Sequence, residues 1–181
     1  MTSDVRIEPF DLLAHSAQAK ALQTQALLTV SAITGVGAPE GDVQHERHAA
    51  RAGFRAVAAH AGDELVGFGD GYGETPGSWW DTWVRPALQE AGAEHLLAGA
   101  FELVELHVAP AHHGEGLGRR LLTALLDGVP CPRVLLTTQD GANPARGFYA
   151  HLGFREVARL TYGADVPYVV LASDLPLRES A

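Results

Sequence analysis

Between residues 101 and 126 the chain reads "FELVELHVAPAHHGEGLGRRLLTALL", and no other stretch limits the fold as much. Residues 101–108 make a strong strand. Leu117, Leu121 and Leu125 fall at i, i+4 and i+8, with Leu122 and Leu126 widening the stripe, so residues 117–127 form a helix with one apolar face. A helix so striped must bury that face against a second layer. The apolar run at 133–138, "RVLLTT", supplies a strand of the continuous kind found where both faces of a sheet are covered.

The rest of the chain extends this pattern. Residues 5–10 alternate like a half-buried strand, and 12–30 contain no Gly or Pro and predict a helix. A short helix at 45–51, a strand at 54–60 and the turn "AGD" lead into "ELVGFGDGYG", whose alternating glycines mark close approach to another backbone or a ligand. Residues 73–100 form an insertion with one or two short helices. A helix at 144–152 is fully punctuated: Asn143 suits the N-cap, Pro144 the first helical position and Gly153 the C-terminal turn, with Phe154 closing behind it. Strands at 154–160 and 168–171 complete the order β–α–α–β–β–insert–β–α–β–α–β–β, a mixed α/β sheet with helices on its faces. At 181 residues and 46% hydrophobic, the chain is expected to be one domain over 1–181.

Charge and cysteine content exclude several classes. A net charge of −9 argues against nucleic acid. Cys131 is the only cysteine, so neither an internal disulfide nor a cysteine zinc cluster is expected. The N-terminus lacks the basic and apolar regions of a secretory signal. No apolar run reaches the roughly 20 residues of a membrane span. A cytoplasmic protein with no membrane partner is expected.

Gly114, Gly116 and Gly118 alternate through the turn, and Arg119 and Arg120 follow at once. Glycines let successive N–H groups turn inward around one anion, and a helix N-terminus adds the positive end of its dipole. Two cations in a first helical turn oppose that dipole, each by about 0.3–1 kcal/mol; a bound polyanion reverses the sign. The turn is neither a dinucleotide fingerprint nor a P-loop. A plain glycine-rich connection with solvated arginines is the alternative.

"VAPAHHGEGLG", residues 108–118, resembles the acetyl-CoA-binding motif of the GCN5-related N-acetyltransferase (GNAT) family, V-x-P-x-x-Q/R-x-x-G-x-G/A. Val108, Pro110, Gly116 and Gly118 match, and His113 stands where Gln or Arg is usual. "NPARGFYAHLGF", residues 143–154, is similar to the family's second signature through Ala145, Phe148, Tyr149, Gly153 and Phe154. The resemblance implies a sheet of about six to seven strands with about four helices, splayed between the fourth and fifth strands around coenzyme A. It implies that the backbone of Leu106, His107 and Val108 bonds the pantetheine arm. The amides of Gly114, Glu115, Gly116, Leu117, Gly118 and Arg119 would cradle the pyrophosphate, with His113 leading into them. Asn143 serves first as N-cap and second as a pantetheine contact. Dimers are common in the family, which makes a homodimer an expected assembly.

The implied activity is direct acetyl transfer from acetyl-CoA to a primary amine of a small molecule, in a ternary complex and without a metal. An alkylammonium with a pKa of about 10.4 must first lose a proton. Tyr149 matches the family's general acid, the hydroxyl that protonates the departing sulfur. Glu102 and Glu105 are the candidate bases; strict alternation puts them on opposite strand faces, and Glu105 ranks first. His107 shares the face of Glu105. Trp79 and Trp80, with Trp83, are either an aromatic wall for a cationic or flat substrate or packing for the insertion. His45 and His48 lie three apart without a third metal ligand at a usual spacing and read as solvated helix residues. The insertion at 73–100 and the loop at 35–42 are the expected pocket walls. The competing functions are acetylation of a protein N-terminus or lysine, and a non-catalytic coenzyme A-binding module.

Overall fold

A computed structural model describes residues 4–35, 44–163 and 165–177; most of the 35–42 loop lies outside them. The strands are β1 (Val5–Pro9), β2 (Arg55–Ala61), β3 (Glu64–Gly73), β4 (Phe101–Val108), β5 (Arg133–Gln139), β6 (Arg155–Tyr162) and β7 (Val166–Asp174). The helices are α1 (Ser16–Thr34), α2 (His45–Ala49), α3 (Trp79–Glu90), α4 (Leu117–Leu126) and α5 (Pro144–His151). The seven strands form one mixed sheet in the order β1-β2-β3-β4-β5-β7-β6, with β4 and β5 parallel at Phe101↔Val134 and Glu102↔Leu135. This is the expected mixed α/β sheet. The helix expected inside the insertion is α3, which at 12 residues is longer than the short helices expected there.

Residue contacts divide the chain into two compact units, Met1–Tyr72 with Leu103–Val129 and Gly73–Glu102 with Pro130–Ala181. In the first unit the glycines of β3 decide how closely its layers approach. A Cβ at Gly67 would lie 2.8 Å from Cδ1 of Leu121 and 3.1 Å from the His107 carbonyl oxygen. At Gly69 it would lie 3.1 Å from Cδ1 of Leu106 and 3.2 Å from the Glu105 carbonyl oxygen. The glycine face of β3 therefore receives α4, whose five leucines are all buried. Each such leucine contributes about 1.5–3 kcal/mol. The opposite face carries Phe68, buried with Leu12, Ala19, Leu22 and Ala58. Gly67→Ala is expected to destabilise the protein by about 1–3 kcal/mol, because neither a fully buried leucine nor a strand carbonyl can give way freely. A chemical-denaturation midpoint unchanged from wild type would show that the layers relax.

In the second unit, α3 has a physical reason to be a full helix. Ser78 Oγ accepts the Asp81 N–H at 3.1 Å as N-cap, and Trp80, Val84 and Leu88 form a buried i, i+4, i+8 stripe. Those three pack with Leu135, Ala158, Val170 and Ala172 of the strands.

Candidate active site

The turn between β4 and α4 is exposed to solvent over residues 113–116. Gly114 and Gly116 adopt φ of 80° and 73°, and a Cβ on either would meet nothing within 4 Å. Gly116 is the N-cap of α4 and has no side-chain oxygen to occupy the first-turn N–H groups, which leaves them for another acceptor. Gly118 is already helical. The two arginines part company: Arg120 Nη2 donates to the Val5 carbonyl at 2.8 Å, tying α4 to β1, while Arg119 remains exposed beside the turn. His113 Nε2 lies 2.9 Å from the Val108 carbonyl, and His112 Nδ1 lies 3.0 Å from Glu115 Oε2. Both contacts brace the N-terminal half of the turn, and the space beside Gly114 and Gly116 is open. That arrangement fits a bound diphosphate.

β4 adds two features. The Glu105 and His107 carbonyls lie close to the glycines of β3. By strand alternation, the backbone N–H and C=O of Leu106 point to the other edge. The Glu105 and His107 side chains share a face, with His107 Nε2 2.5 Å from Glu105 Oε2. These side chains are 18% and 11% exposed, sheltered yet accessible. The His107 ring lies 5.5 Å from that of Phe68.

The same face holds a group that sequence reasoning missed. His45 is fully buried, not solvated, because α2 lies over Phe68, with ring centroids 6.4 Å apart. Its Nδ1 sits 2.9 Å from Ser16 Oγ. His48 Nδ1 lies 3.7 Å from Oδ1 of the buried Asp70. Burial holds the His48 pKa below the usual imidazole value, against the opposing pull of Glu105. The available signal was Asp70 itself, a carboxylate inside a glycine and aromatic strand.

The second unit holds the remaining candidates. Glu102 is buried, on the strand face opposite Glu105. Tyr149 is buried on α5, edge-on to Phe148 and Phe154 at 5.0 and 5.2 Å. Asn143 Oδ1 accepts the Ala145 N–H at 3.0 Å, and its Nδ2 donates to Thr138 Oγ1 and the Gln139 carbonyl at 3.1 and 3.3 Å. Its Oδ1 therefore serves as the cap, and its Nδ2 holds the end of β5. The tryptophans split. Trp80 is a core residue whose Nε1 donates to Thr137 Oγ1 at 3.2 Å. Trp79 is 62% exposed and stacked on Trp83 at 5.3 Å. Any aromatic wall therefore consists of Trp79 and Trp83 with Tyr162 and Tyr168, and Trp80 lies behind it.

A family model described as an acetyltransferase (GNAT) domain matches residues 52–156. A curated GCN5-like protein acetyltransferase of Mycobacterium tuberculosis is 36% identical over 123 residues, 62% of this chain and 60% of that protein. The chain thus spans about 60% of the length of the curated relative it matches. Among solved structures, an N-acyl amino acid synthase from uncultured soil microbes is similar with a TM-score of 0.69 at 14% identity, covering 97% of this chain and 93% of that one. An acetyltransferase from Thermus thermophilus is similar with a TM-score of 0.60 at 21% identity, covering 94% and 97%. At such identities the structural likeness shows the fold alone.

Proposed function

The chain belongs to the GNAT acetyltransferase family, and on that premise we propose that it transfers the acetyl group of acetyl-CoA to a primary amine of a small molecule, directly and in a ternary complex. The observation that carries this reading is the β4–α4 turn, where two left-handed glycines and an uncapped helix N-terminus present main-chain donors beside Arg119. Bound acetyl-CoA would supply the acyl group as a thioester. The amides from Gly114 to Arg119 hold the diphosphate, and the outer edge of β4 at Leu106 and Val108 orients the pantetheine arm. Glu105, paired with His107, takes the proton of the acceptor ammonium. Tyr149 holds a proton at Oη for the sulfur that leaves. A cytoplasmic location and a homodimer are part of the proposal; among the described residues, no helix is long and apolar enough to cross a membrane.

Arg119→Ala is expected to raise the KM for acetyl-CoA by about tenfold, the loss of roughly one charge-assisted contact. The melting temperature should stay nearly constant, since Arg119 is exposed. An unaltered KM would remove Arg119 from the phosphate site.

A second reading has one specific support: the relative at 36% identity is described as a protein acetyltransferase. Thiol release from acetyl-CoA across alkylamines, polyamines, aminoglycosides, amino acids and lysine or N-terminal peptides separates the two. Turnover of small amines supports the proposal, and turnover of peptides alone supports a protein acceptor. No release with any acceptor leaves a coenzyme A-binding module without catalysis.

A further inference from the structure

The transferase reading leaves unused the polar group under α2, and our inference rests on that reading. We propose that His48, backed by Asp70, is a relay imidazole that receives the acceptor's proton from the Glu105–His107 pair and passes it to solvent.

The placement follows from strand periodicity. Phe68, Asp70 and Tyr72 alternate along β3 and so share one face. Phe68 is in ring contact with both His107 on β4 and His45 on α2, so α2 covers the face that carries Glu105 and His107. One helical turn beyond His45, the His48 ring lies 5.9 Å from that of Tyr72. Among the described residues, the ionisable groups that bear on His48 include Asp70 and Tyr72 from β3 and Glu105 from β4. His45 and Arg51 come from α2 and the segment after it.

The His48–Asp70 separation of 3.7 Å is too long for a hydrogen bond. It suits a group that changes charge in use. A neutral imidazole gains little from a carboxylate at that distance, whereas an imidazolium is drawn to it strongly in a site poor in water. The carboxylate beside Nδ1 favours the tautomer with its hydrogen there, leaving the Nε2 lone pair to accept. Burial favours the neutral ring, while the charge of Glu105 favours the protonated form. The Asp70 side chain is 0% exposed and that of His48 18%, so within this pair the carboxylate acts through the imidazole. The proton passes from the ammonium nitrogen to the Glu105–His107 pair, then to His48 Nε2, then to water. Both dyads return to their starting charge, and no other bond changes. Among the described residues, no group of three His, Cys, Asp or Glu side chains is arranged to hold a metal.

The test follows acetyl-CoA thiol release with the panel amine of highest kcat/KM, in weakly nucleophilic buffer, for wild type, His48→Ala and Asp70→Asn. His48→Ala should lower kcat about ten- to a hundredfold with both KM values unchanged, and added imidazole should restore it in proportion to concentration. Wild type should not respond to imidazole. Asp70→Asn should lower kcat less and move the acid limb of its pH profile to lower pH, because His48 loses the carboxylate that favours its protonated form. A folded His48→Ala variant with wild-type kcat, or with a defect that imidazole does not relieve, overturns the relay. Should that variant fail to fold, His48→Gln is read instead: reduced kcat at unchanged KM supports the relay and wild-type kcat overturns it. Wild-type protein inactive toward every amine overturns the transferase reading and the relay together. Active wild type with unaffected variants overturns the relay alone.

Discussion

Tyr149→Phe is expected to lower kcat by about 10²–10⁴-fold, the range for loss of a general acid. The hydroxyl is the whole difference between the two side chains. The ring contacts with Phe148 and Phe154 and the Asn143 cap survive the change. Stability should fall only by the worth of one hydroxyl hydrogen bond, about 0.5–1.5 kcal/mol. KM for both substrates should hold, because a proton delivered to departing sulfur is needed only as the carbon–sulfur bond breaks. Steady-state kinetics beside a melting curve read both quantities. A fall of less than about threefold, well below the general-acid range, would make Tyr149 a packing residue.

Glu105→Gln is the second large effect, a fall in kcat/KM of about 10²-fold or more near pH 7. Glutamine keeps the shape and can still meet His107 Nε2, but it cannot accept a proton. The defect should shrink as pH rises, because an alkylamine with a pKa of about 10.4 then arrives increasingly neutral and needs no base. A defect equally large at every pH would point to positioning. Glu102→Gln supplies the contrast: Glu102 is buried on the other strand face, so its replacement should act on stability before rate. A kinetic defect in Glu102→Gln at wild-type stability would exchange the roles of the two glutamates.

How much was legible beforehand depended on which physical signal each segment carried. β4 is read at its true bounds because its apolar run is cut cleanly by Pro110 and the glycines. The α4 stripe is visible in its leucines, and the ends of α5 in Asn143, Pro144 and Gly153, each a residue with one strong conformational reason to be there. The alternating glycines of β3 announced close approach, and Gly67 and Gly69 show it as contact with β4 and α4. What escaped were properties of tertiary neighbours. The length of α3 was hidden because Pro86 and three tryptophans obscure the Trp80, Val84 and Leu88 stripe. β7 runs over Val166–Asp174, well beyond the apolar run at 168–171, since its ends are fixed by pairing with β5 and β6. His45 looks solvated by spacing alone and is buried only because α2 closes over Phe68. Arg119 and Arg120 look equivalent in sequence, and only the position of β1 assigns Arg120 to structure.

The most direct test of the diphosphate site is the melting temperature of wild-type protein against coenzyme A concentration. If the amides between Gly114 and Arg119 grip the diphosphate, Tm rises with the logarithm of coenzyme A once it exceeds Kd, and the rise begins at higher concentration in Arg119→Ala. A Tm that stays flat to millimolar coenzyme A contradicts a ligand-holding turn and leaves the glycines as a bare connection between β4 and α4.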